Sequence, residues 1–289
     1  MAPAIAHFLV GAALLLLAFA PIALRYDVSR EHAIWLIPLG GIWGLLPDVH
    51  HIAPIFQAEL YALHNTAWMD LFALHYTLDR PAVRARYYES VFGSIVFFTV
   101  AVAAFSVTPY LRASGQRARQ SRLARSVVAV GSSLVAAAYA TVVLGVIVSI
   151  QHAFGAVSAL VGSDSGLVGG LLLIPIGAGL GLVYGALLEA RLRSGQRLEP
   201  TMAAVGGAGV GVLCWLGGVV ILLPLWLELV GAGSSGPPLL HGGSLLALVA
   251  YGTVFGAVYA LVREGVRPQS DGPIGSRSSR SSVSRRLLE

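Results

Sequence analysis

Long unbroken apolar runs dominate this chain, and most of them are about as long as a bilayer is thick. A helix needs about 20 apolar residues to cross the roughly 30 Å hydrocarbon core of a membrane. Such runs lie near residues 4–24, 33–48, 90–110, 126–150, 166–190, 204–230 and 239–262. They do not alternate as the strands of a membrane barrel do. The sequence therefore predicts an all-α, polytopic transmembrane helix bundle with about seven spans.

Composition agrees with this fold class and excludes an ordinary soluble globule. Hydrophobic residues make up 56 % of the chain and charged residues only 11 %, whereas soluble domains carry about 25 % charged residues. The net charge is +5, but in so apolar a chain the arginines orient spans rather than bind nucleic acid. We therefore expect a multi-pass protein of the cell membrane whose partner is the lipid bilayer, with no nucleic acid.

The arginines are concentrated in alternate connecting segments. If there are seven spans, 16 of the 19 arginines lie in the loops 25–32, 111–125 and 191–200 and in the tail after residue 262. The positive-inside rule then places the N-terminus outside and the C-terminus inside. This predicts a transmembrane domain over residues 1–264, with a long outer-side segment at 49–89. Residues 265–289, rich in Ser and Arg, are predicted to be a disordered cytoplasmic tail.

Two segments leave alternatives open. The run at 33–48 is short and contains several helix-breaking residues, namely Pro38, Gly40, Gly41, Gly44 and Pro47. Such a segment can be a kinked or tilted span. The segment 53–78 could be an eighth span, but its polar residues, Gln57, Glu59, His64, Asp70 and His75, are costly in lipid. We prefer an external or interfacial helical hairpin there.

Glycines recur at helical spacing inside the later apolar runs. Gly177, Gly181 and Gly185 lie in one run, and Gly252 and Gly256 lie in the last one. Small residues four positions apart let helix backbones approach closely, whereas a phosphate-binding loop needs its glycines between a strand and a helix. The pattern favours helix packing, and it could also support a homo-oligomer through these faces.

Histidines and acidic residues gather on one side of the predicted topology. Seven of the eight histidines fall on the outer side or close to it, and only His32 falls on the inner side. Imidazole and carboxylate groups together are typical ligands of zinc, manganese or non-haem iron. The candidate metal ligands are His7, Asp48, His50, His51, His64 and His75, and the candidate catalytic residues are Asp48 and Asp79. The alternative interpretation is that lipid simply excludes these groups to the interface.

Spacing within the 60–79 segment constrains how these residues could act together. If the segment is one helix, its 100° turn per residue puts His64, His75 and Asp79 on one face and Asp70 on another. On a straight helix, His64 and His75 would be roughly 16 Å apart along the axis. They could then not bind one ion together, and each would need partners from other segments. The tightest local cluster is Pro47-Asp48-Val49-His50-His51, where a turn could clip a divalent metal.

The same motifs resemble those of the membrane-bound metal-dependent hydrolase-like family. His7 begins a His-x3-Gly motif, and Pro47, Asp48 and His51 match the family's Pro-Asp-x-Asp-His motif, with His50 in place of its second aspartate. The stretch His64-Asn65-Thr66 is a poor match to the family's later His-Arg-Gly-x-Thr-His motif. The stretch from His64 to Arg80 also resembles a segment of haloarchaeal multi-pass membrane proteins. This resemblance implies a candidate metal site, not a particular substrate.

Three functions are compatible with the sequence. The first is a metal-dependent hydrolase that acts at the outer membrane surface, in which zinc or manganese activates water and a spare carboxylate is the base. The second is a small-solute transporter, although the centres of the predicted spans carry almost no ionisable groups. The third is a non-catalytic membrane scaffold or sensor.

Overall fold

The computed structural model describes residues 3–26, 28, 30–117, 122–192, 196–229 and 238–267, and these residues form helices and turns without any strand. Residues 230–237 and the part of the predicted tail from residue 268 onward lie outside the described residues. The α-helices, in chain order, are α1 (Ala4–Arg25), α2 (Arg30–Ile34), α3 (Leu36–Leu45), α4 (Gln57–His64), α5 (His75–Leu78), α6 (Pro81–Arg84), α7 (Tyr87–Ser106), α8 (Thr108–Arg117), α9 (Arg122–Ile150), α10 (Phe154–Ser158), α11 (Gly166–Arg191), α12 (Pro200–Cys214), α13 (Leu223–Leu229) and α14 (Gly242–Gly265).

Six stretches of helix in the described residues are long and apolar enough to cross a membrane. They are Ala4–Arg25, Tyr87–Gly115, Leu123–Ile150, Gly166–Arg191, Pro200–Leu229 and Gly242–Gly265. An integral, multi-pass helical membrane protein is therefore supported, and each stretch corresponds to one predicted span. The predicted count of seven is not confirmed, and the orientation of the termini stays a prediction.

The predicted span at 33–48 is the one that lacks a long helix. It is divided into α2, α3 and a 3₁₀ turn over Leu46–His51. Pro47 stands in the first turn of that 3₁₀ segment, where its missing N–H breaks no helical hydrogen bond. The α-helix consequently ends before Pro47, and the residues that follow turn across the end of α1.

Glycine contacts hold α3 antiparallel against α1. A Cβ on Gly40 would lie 2.6 Å from the carbonyl oxygen of Gly11, and one on Gly44 would lie 3.2 Å from the carbonyl carbon of His7. Neither position has space for a side chain, so only glycine permits this backbone-to-backbone contact. The close contact brings the 3₁₀ turn Leu46–His51 directly beside His7.

A second packing unit is formed by α9, α11, α12 and α14. Its core contains Tyr184, Tyr251, Phe255 and Tyr259, which stack along the interior of the unit. The predicted role of the glycines in helix packing is seen here, because a Cβ on Gly181 would lie 2.9 Å from the Phe255 ring. Contacts between Gly207 and Gly252 likewise join α12 to α14. The predicted homo-oligomer is not tested by these contacts within one chain.

The bundle has two ends that we name after the residues of α1. At the Arg25 end, Gly265 of α14 packs on Leu24, and Gly115 of α8 packs on Val266. At the His7 end, the Ser149 hydroxyl of α9 lies 3.4 Å from the carboxylate of Asp70. The segment 53–78 lies at this His7 end, and no described helix within it is longer than the eight residues of α4. The alternative of an eighth span is therefore not seen.

Candidate metal centre

Five ionisable side chains from separate segments converge at the His7 end. Asp79 contacts two histidines, with its Oδ1 3.5 Å from His7 Nε2 and its Oδ2 3.2 Å from His64 Nε2. His75 Nε2 lies between the two carboxylates, 3.4 Å from Asp48 Oδ1 and 3.7 Å from Asp79 Oδ2. His64 Nδ1 is 3.9 Å from Asp48 Oδ1. All five residues belong to the set that the sequence singled out.

The meeting of His64 and His75 corrects an assumption made from the sequence. Residues 60–79 are not a straight helix, because α4 ends at His64 and a 3₁₀ turn over Ala67–Leu71 follows. The chain then reverses at Ala73 and Leu74, whose φ angles are 55° and 62°. As a result the centroids of the two imidazole rings are 5.0 Å apart rather than roughly 16 Å. At this distance the two histidines can contribute to one ion site.

His50 and His51 extend this cluster on the side of Asp48. The His50 ring lies 4.6 Å from the His64 ring and 3.9 Å from the His51 ring. Asp48, His50 and His51 form a group whose ligand atoms lie within 4.8 Å of one another. His50 is buried, whereas His51 is exposed. Asp48 can therefore serve both this group and the central one around His75.

The cluster is unusual because its buried polar atoms lack hydrogen bonds. Among the residues that the structure describes, the buried side-chain atoms without a hydrogen-bond partner include His7 Nδ1 and Nε2, Asp48 Oδ1, His50 Nε2, His64 Nδ1 and His75 Nε2. His75 is fully buried and His64 is 5 % exposed. A buried polar atom without a partner costs about 1–3 kcal/mol, so these six atoms form a set that a bound cation could satisfy.

Backbone carbonyl groups fix the tautomer of two of these histidines. His75 Nδ1 lies 2.9 Å from the carbonyl oxygen of Gly44, and His50 Nδ1 lies 3.1 Å from that of Pro47. When each Nδ1–H donates to its carbonyl, the neutral ring presents a lone pair at Nε2. Metal-binding histidines are commonly held in this way through their second nitrogen. The two unpartnered Nε2 atoms are therefore oriented as ligands.

The spacing of the ligand atoms suits one small divalent cation. Zinc binds imidazole nitrogen and carboxylate oxygen at about 2.0–2.2 Å, which puts tetrahedral ligand atoms about 3.3 Å apart. The contacts of Asp48 and Asp79 with His7, His64 and His75 range from 3.2 to 3.9 Å. The groups His7–Asp48–His75 and His64–His75–Asp79 both satisfy a mutual distance of 4.8 Å. The two groups share His75.

The charges of the cluster act differently on its two central histidines. Burial lowers the pKa of His64 below its ordinary value of 6.5, and the nearby His75 lowers that pKa further. Burial would also lower the pKa of His75, but its contacts with Asp48 and with the Gly44 carbonyl outweigh burial and raise that pKa above 6.5. Burial would raise the pKa of Asp48, yet its contacts with His75, His7 and His64 hold it below 3.8. The two carboxylates therefore favour the protonated form of His75.

One residue that supports the cluster was missed by the sequence analysis. Asp70 belongs to none of the candidate metal groups, although the helix on which its different face was predicted is not formed. It accepts hydrogen bonds of 2.7 Å from both the backbone N–H and the hydroxyl of Thr77, and it contacts Ser149 of α9. Thr77 lies between His75 and Asp79, so Asp70 ties the ligand-bearing helix α5 to the bundle. Helical spacing set Asp70 apart from the candidate ligands, but nothing in the sequence indicated its bonds to Thr77 and Ser149.

Not all the histidines that were predicted for this side join the cluster. His241 caps α14, where its Nδ1 accepts a hydrogen bond from the backbone N–H of Ser244. His152 lies at the end of α9 with a left-handed backbone and belongs to none of the candidate metal groups. Exclusion from lipid explains these two residues well. It does not explain why the other five histidines meet around two carboxylates.

Comparison with protein-family models, with curated proteins and with solved structures finds no match to this chain. The resemblance to membrane-bound metal-dependent hydrolases and to haloarchaeal membrane proteins therefore stays a prediction carried by the short motifs alone. Any functional conclusion has to come from the geometry of the cluster.

Proposed function

We propose that this protein is an integral membrane protein with a divalent metal centre at the His7 end of its bundle, where it acts as a metal-dependent hydrolase at the membrane surface. The observation that carries the proposal is the convergence of buried imidazole and carboxylate atoms that have no hydrogen-bond partners. The site would hold zinc or manganese through His7, Asp48, His64 and His75, and Asp79 would be the spare carboxylate. His50 and His51 would complete a second ligand group with Asp48.

The two carboxylates are the groups suited to proton transfer. A bound divalent ion lowers the pKa of a coordinated water, so that hydroxide is available near neutral pH. Asp48 and Asp79 are 19 % and 12 % exposed, so both can be reached by water, whereas His75 is fully buried. The spare carboxylate would accept the proton of that water as it attacks, and would return it to the leaving group.

Metal-dependent stabilisation tests the site itself. Full-length protein in detergent, stripped with a chelator, is titrated with zinc while thermal unfolding is followed. A ligand that binds only the folded state stabilises it by about 2.7 kcal/mol at 100 times its dissociation constant. We expect this stabilisation in the wild type and not in Asp48→Ala. The matched control is Glu59→Ala, which removes an exposed carboxylate of α4 outside the cluster.

The hydrolytic role needs a separate test on the same three proteins. Fluorogenic lipid esters and phosphodiesters are presented in proteoliposomes, before and after chelation. Turnover that is lost on chelation and in Asp48→Ala, but kept in Glu59→Ala, supports the hydrolase. Zinc binding without any metal-dependent turnover would favour the scaffold or sensor, and zinc-dependent uptake of solute would favour the transporter. An unchanged melting temperature of the wild type with zinc would overturn the metal centre.

A further inference from the structure

The segment over residues 52–71, which we name the collar, displays large apolar side chains to its surroundings. Ile52 is 82 % exposed, Phe56 is 66 % exposed and Trp68 is 59 % exposed. Other collar residues of this kind are Ile55, Tyr61, Leu63 and Leu71. In water each such side chain would lose about 1.5–3 kcal/mol of the transfer free energy that burial provides. A solvated loop does not usually carry so many of them.

The collar also lacks the charges that a solvated loop requires. Its acidic residues are Glu59 and Asp70, and it contains no arginine. Asp70 is buried and bonded to Thr77, so Glu59 is the one fixed charge that it presents. By contrast, the neighbouring segment 80–86 carries Arg80, Arg84 and Arg86 within seven residues. The collar is therefore unlike a water-exposed connection in composition as well as in exposure.

The collar turns most of the surface of α4 away from the bundle. α4 has eight residues, and within it only His64 is buried, so most of its surface faces outward. Phe56 precedes α4 with a left-handed backbone, φ 57°, which is costly for a bulky side chain. If Phe56 were exposed to water, no burial of its ring would offset the cost of this backbone conformation. Insertion of the ring into lipid would offset it.

The neighbouring helices also expose apolar and aromatic side chains at the end of the bundle where the collar lies. α1 and α7 begin at the same end of the bundle and expose Ile5, Tyr87 and Tyr88. Tyr and Trp concentrate where the headgroups meet the acyl chains, because their rings are apolar and their polar atoms can remain hydrated. Tyr61 and Trp68 supply the same two residue types within the collar.

We propose that the collar lies in the boundary between headgroups and acyl chains of the leaflet at the His7 end, as an interfacial segment that covers the histidine cluster. Tyr61 links the two features, since its ring lies 5.4 Å from the His50 ring. If the protein is the proposed hydrolase, this placement implies that its substrates are amphiphiles of that leaflet, and this part of the inference rests on the proposed function. The placement of the collar itself needs no metal.

The test uses the depth of Trp68 in full-length protein reconstituted in bilayers. The other four tryptophans, Trp35, Trp43, Trp215 and Trp226, are replaced by Phe so that only Trp68 emits. Bilayers contain lipids brominated near the glycerol, at mid-chain or near the chain end, and iodide is the aqueous quencher. We expect the strongest quenching from bromine near the glycerol. Strong iodide quenching without bromolipid quenching would overturn the proposal and favour a water-exposed or protein-docking collar.

A second measurement avoids the tryptophan substitutions, which remove the hydrogen bonds of Trp215 and Trp226. A nitroxide is attached to Ile52→Cys on a Cys214→Ala background, and its relaxation by oxygen and by water-soluble chromium oxalate is compared. The matched control is Arg84→Cys, an exposed position of α6. Preferential relaxation by oxygen at residue 52 but not at residue 84 supports the collar. Equal relaxation by chromium oxalate at both sites would overturn it, whether or not zinc binds.

Discussion

Both ends of the bundle contain clustered ionisable groups, but these groups are paired at one end, and several of their atoms lack hydrogen bonds at the other. At the Arg25 end, Glu189 accepts hydrogen bonds from Arg263 and, at 2.7 Å, from the hydroxyl of Tyr259. Glu264 is paired with Arg263 and with Arg267. At the His7 end, by contrast, carboxylates and imidazoles face one another across 3.2 to 3.9 Å, and several of their atoms have no hydrogen bond.

This difference separates a structural network from a binding site. Buried charges that are fully paired hold helices together, and removing one partner leaves an unpaired charge. Buried ligand atoms that lack partners cost stability unless something else binds them. Proteins commonly accept such a cost at functional sites. The paired charges of the Arg25 end therefore have a structural role, whereas the His7 end has the features of a candidate cation site.

The largest expected effect is on stability at the Arg25 end. Arg263→Ala should destabilise the fold by about 3–5 kcal/mol, as is typical when one partner of a buried ion pair is removed, because Glu189 and the buried Glu264 both lose their shortest ion pair. Denaturant unfolding in mixed micelles measures this change. In metal-free protein, Asp48→Asn should cost less than Arg263→Ala, because Asp48 faces histidines across 3.4 to 3.9 Å rather than a closely paired arginine. Equal losses in both variants would remove the contrast between the ends.

The next effect concerns metal affinity at the His7 end. His75→Ala removes the candidate ligand shared by both central groups. Loss of an outer-shell partner weakens metal affinity about 10- to 100-fold, and we expect the loss of His75 to weaken zinc affinity by more than that. Isothermal titration with a competing chelator gives the two dissociation constants. Glu189→Gln is the matched control, since it alters a carboxylate of the opposite end and should leave zinc affinity unchanged. A similar loss in both variants would point to general unfolding.

A smaller effect is expected from the residue that positions the ligands. Asp70→Asn keeps the shape of the side chain, but its amide nitrogen cannot accept, so one of the two hydrogen bonds that Thr77 donates to Asp70 is lost. Zinc affinity should fall by about 10-fold, the lower range for outer-shell partners. Ser149→Ala, which loses only the long 3.4 Å contact, should have a lesser effect. An Asp70→Asn protein with wild-type affinity would show that Asp70 serves α9 alone.

The smallest effect is a dependence of metal-free stability on pH. The pKa of His75 is raised above 6.5, so its contribution to stability is fully present below pH 6.5 and is lost as the pH rises through its raised value. Stability of the metal-free protein should therefore decline modestly above pH 6.5, and zinc should abolish the decline. His75→Gln should remove this slope. A slope that persists in His75→Gln would assign it to another group.

Much of the fold could be predicted because hydropathy and length are local properties of the sequence. The predicted run at 166–190 corresponds to Gly166–Arg191, and the run at 4–24 to Ala4–Arg25. The run at 33–48 was apolar enough to be predicted as a span, but hydropathy does not reveal that Gly40 and Gly44 pack directly on α1. That close contact, and the break before Pro47, make this segment unlike the six long helices.

The candidate ligands could be named from residue type, but their arrangement could not. The approach of His64 to His75 depends on left-handed backbone at Ala73 and Leu74, two residues that give no turn signal in a sequence. The contact of Asp48 with His7 depends on the antiparallel packing of α3 on α1, which is a tertiary feature. The support from Asp70 depends on Thr77 and on Ser149, a residue of a distant helix.

The central claim is that the His7 end binds a divalent cation, and cobalt substitution tests it most directly. Cobalt(II) reports its own ligands through visible absorption, and its stoichiometry is obtained by equilibrium dialysis with elemental analysis of the full-length protein. We predict at least one tightly bound ion per chain, with the intense absorption of a four- or five-coordinate site, which zinc displaces and Asp48→Ala abolishes. A protein that retains no ion after dialysis, or whose bound cobalt is unaffected by Asp48→Ala, would contradict the account.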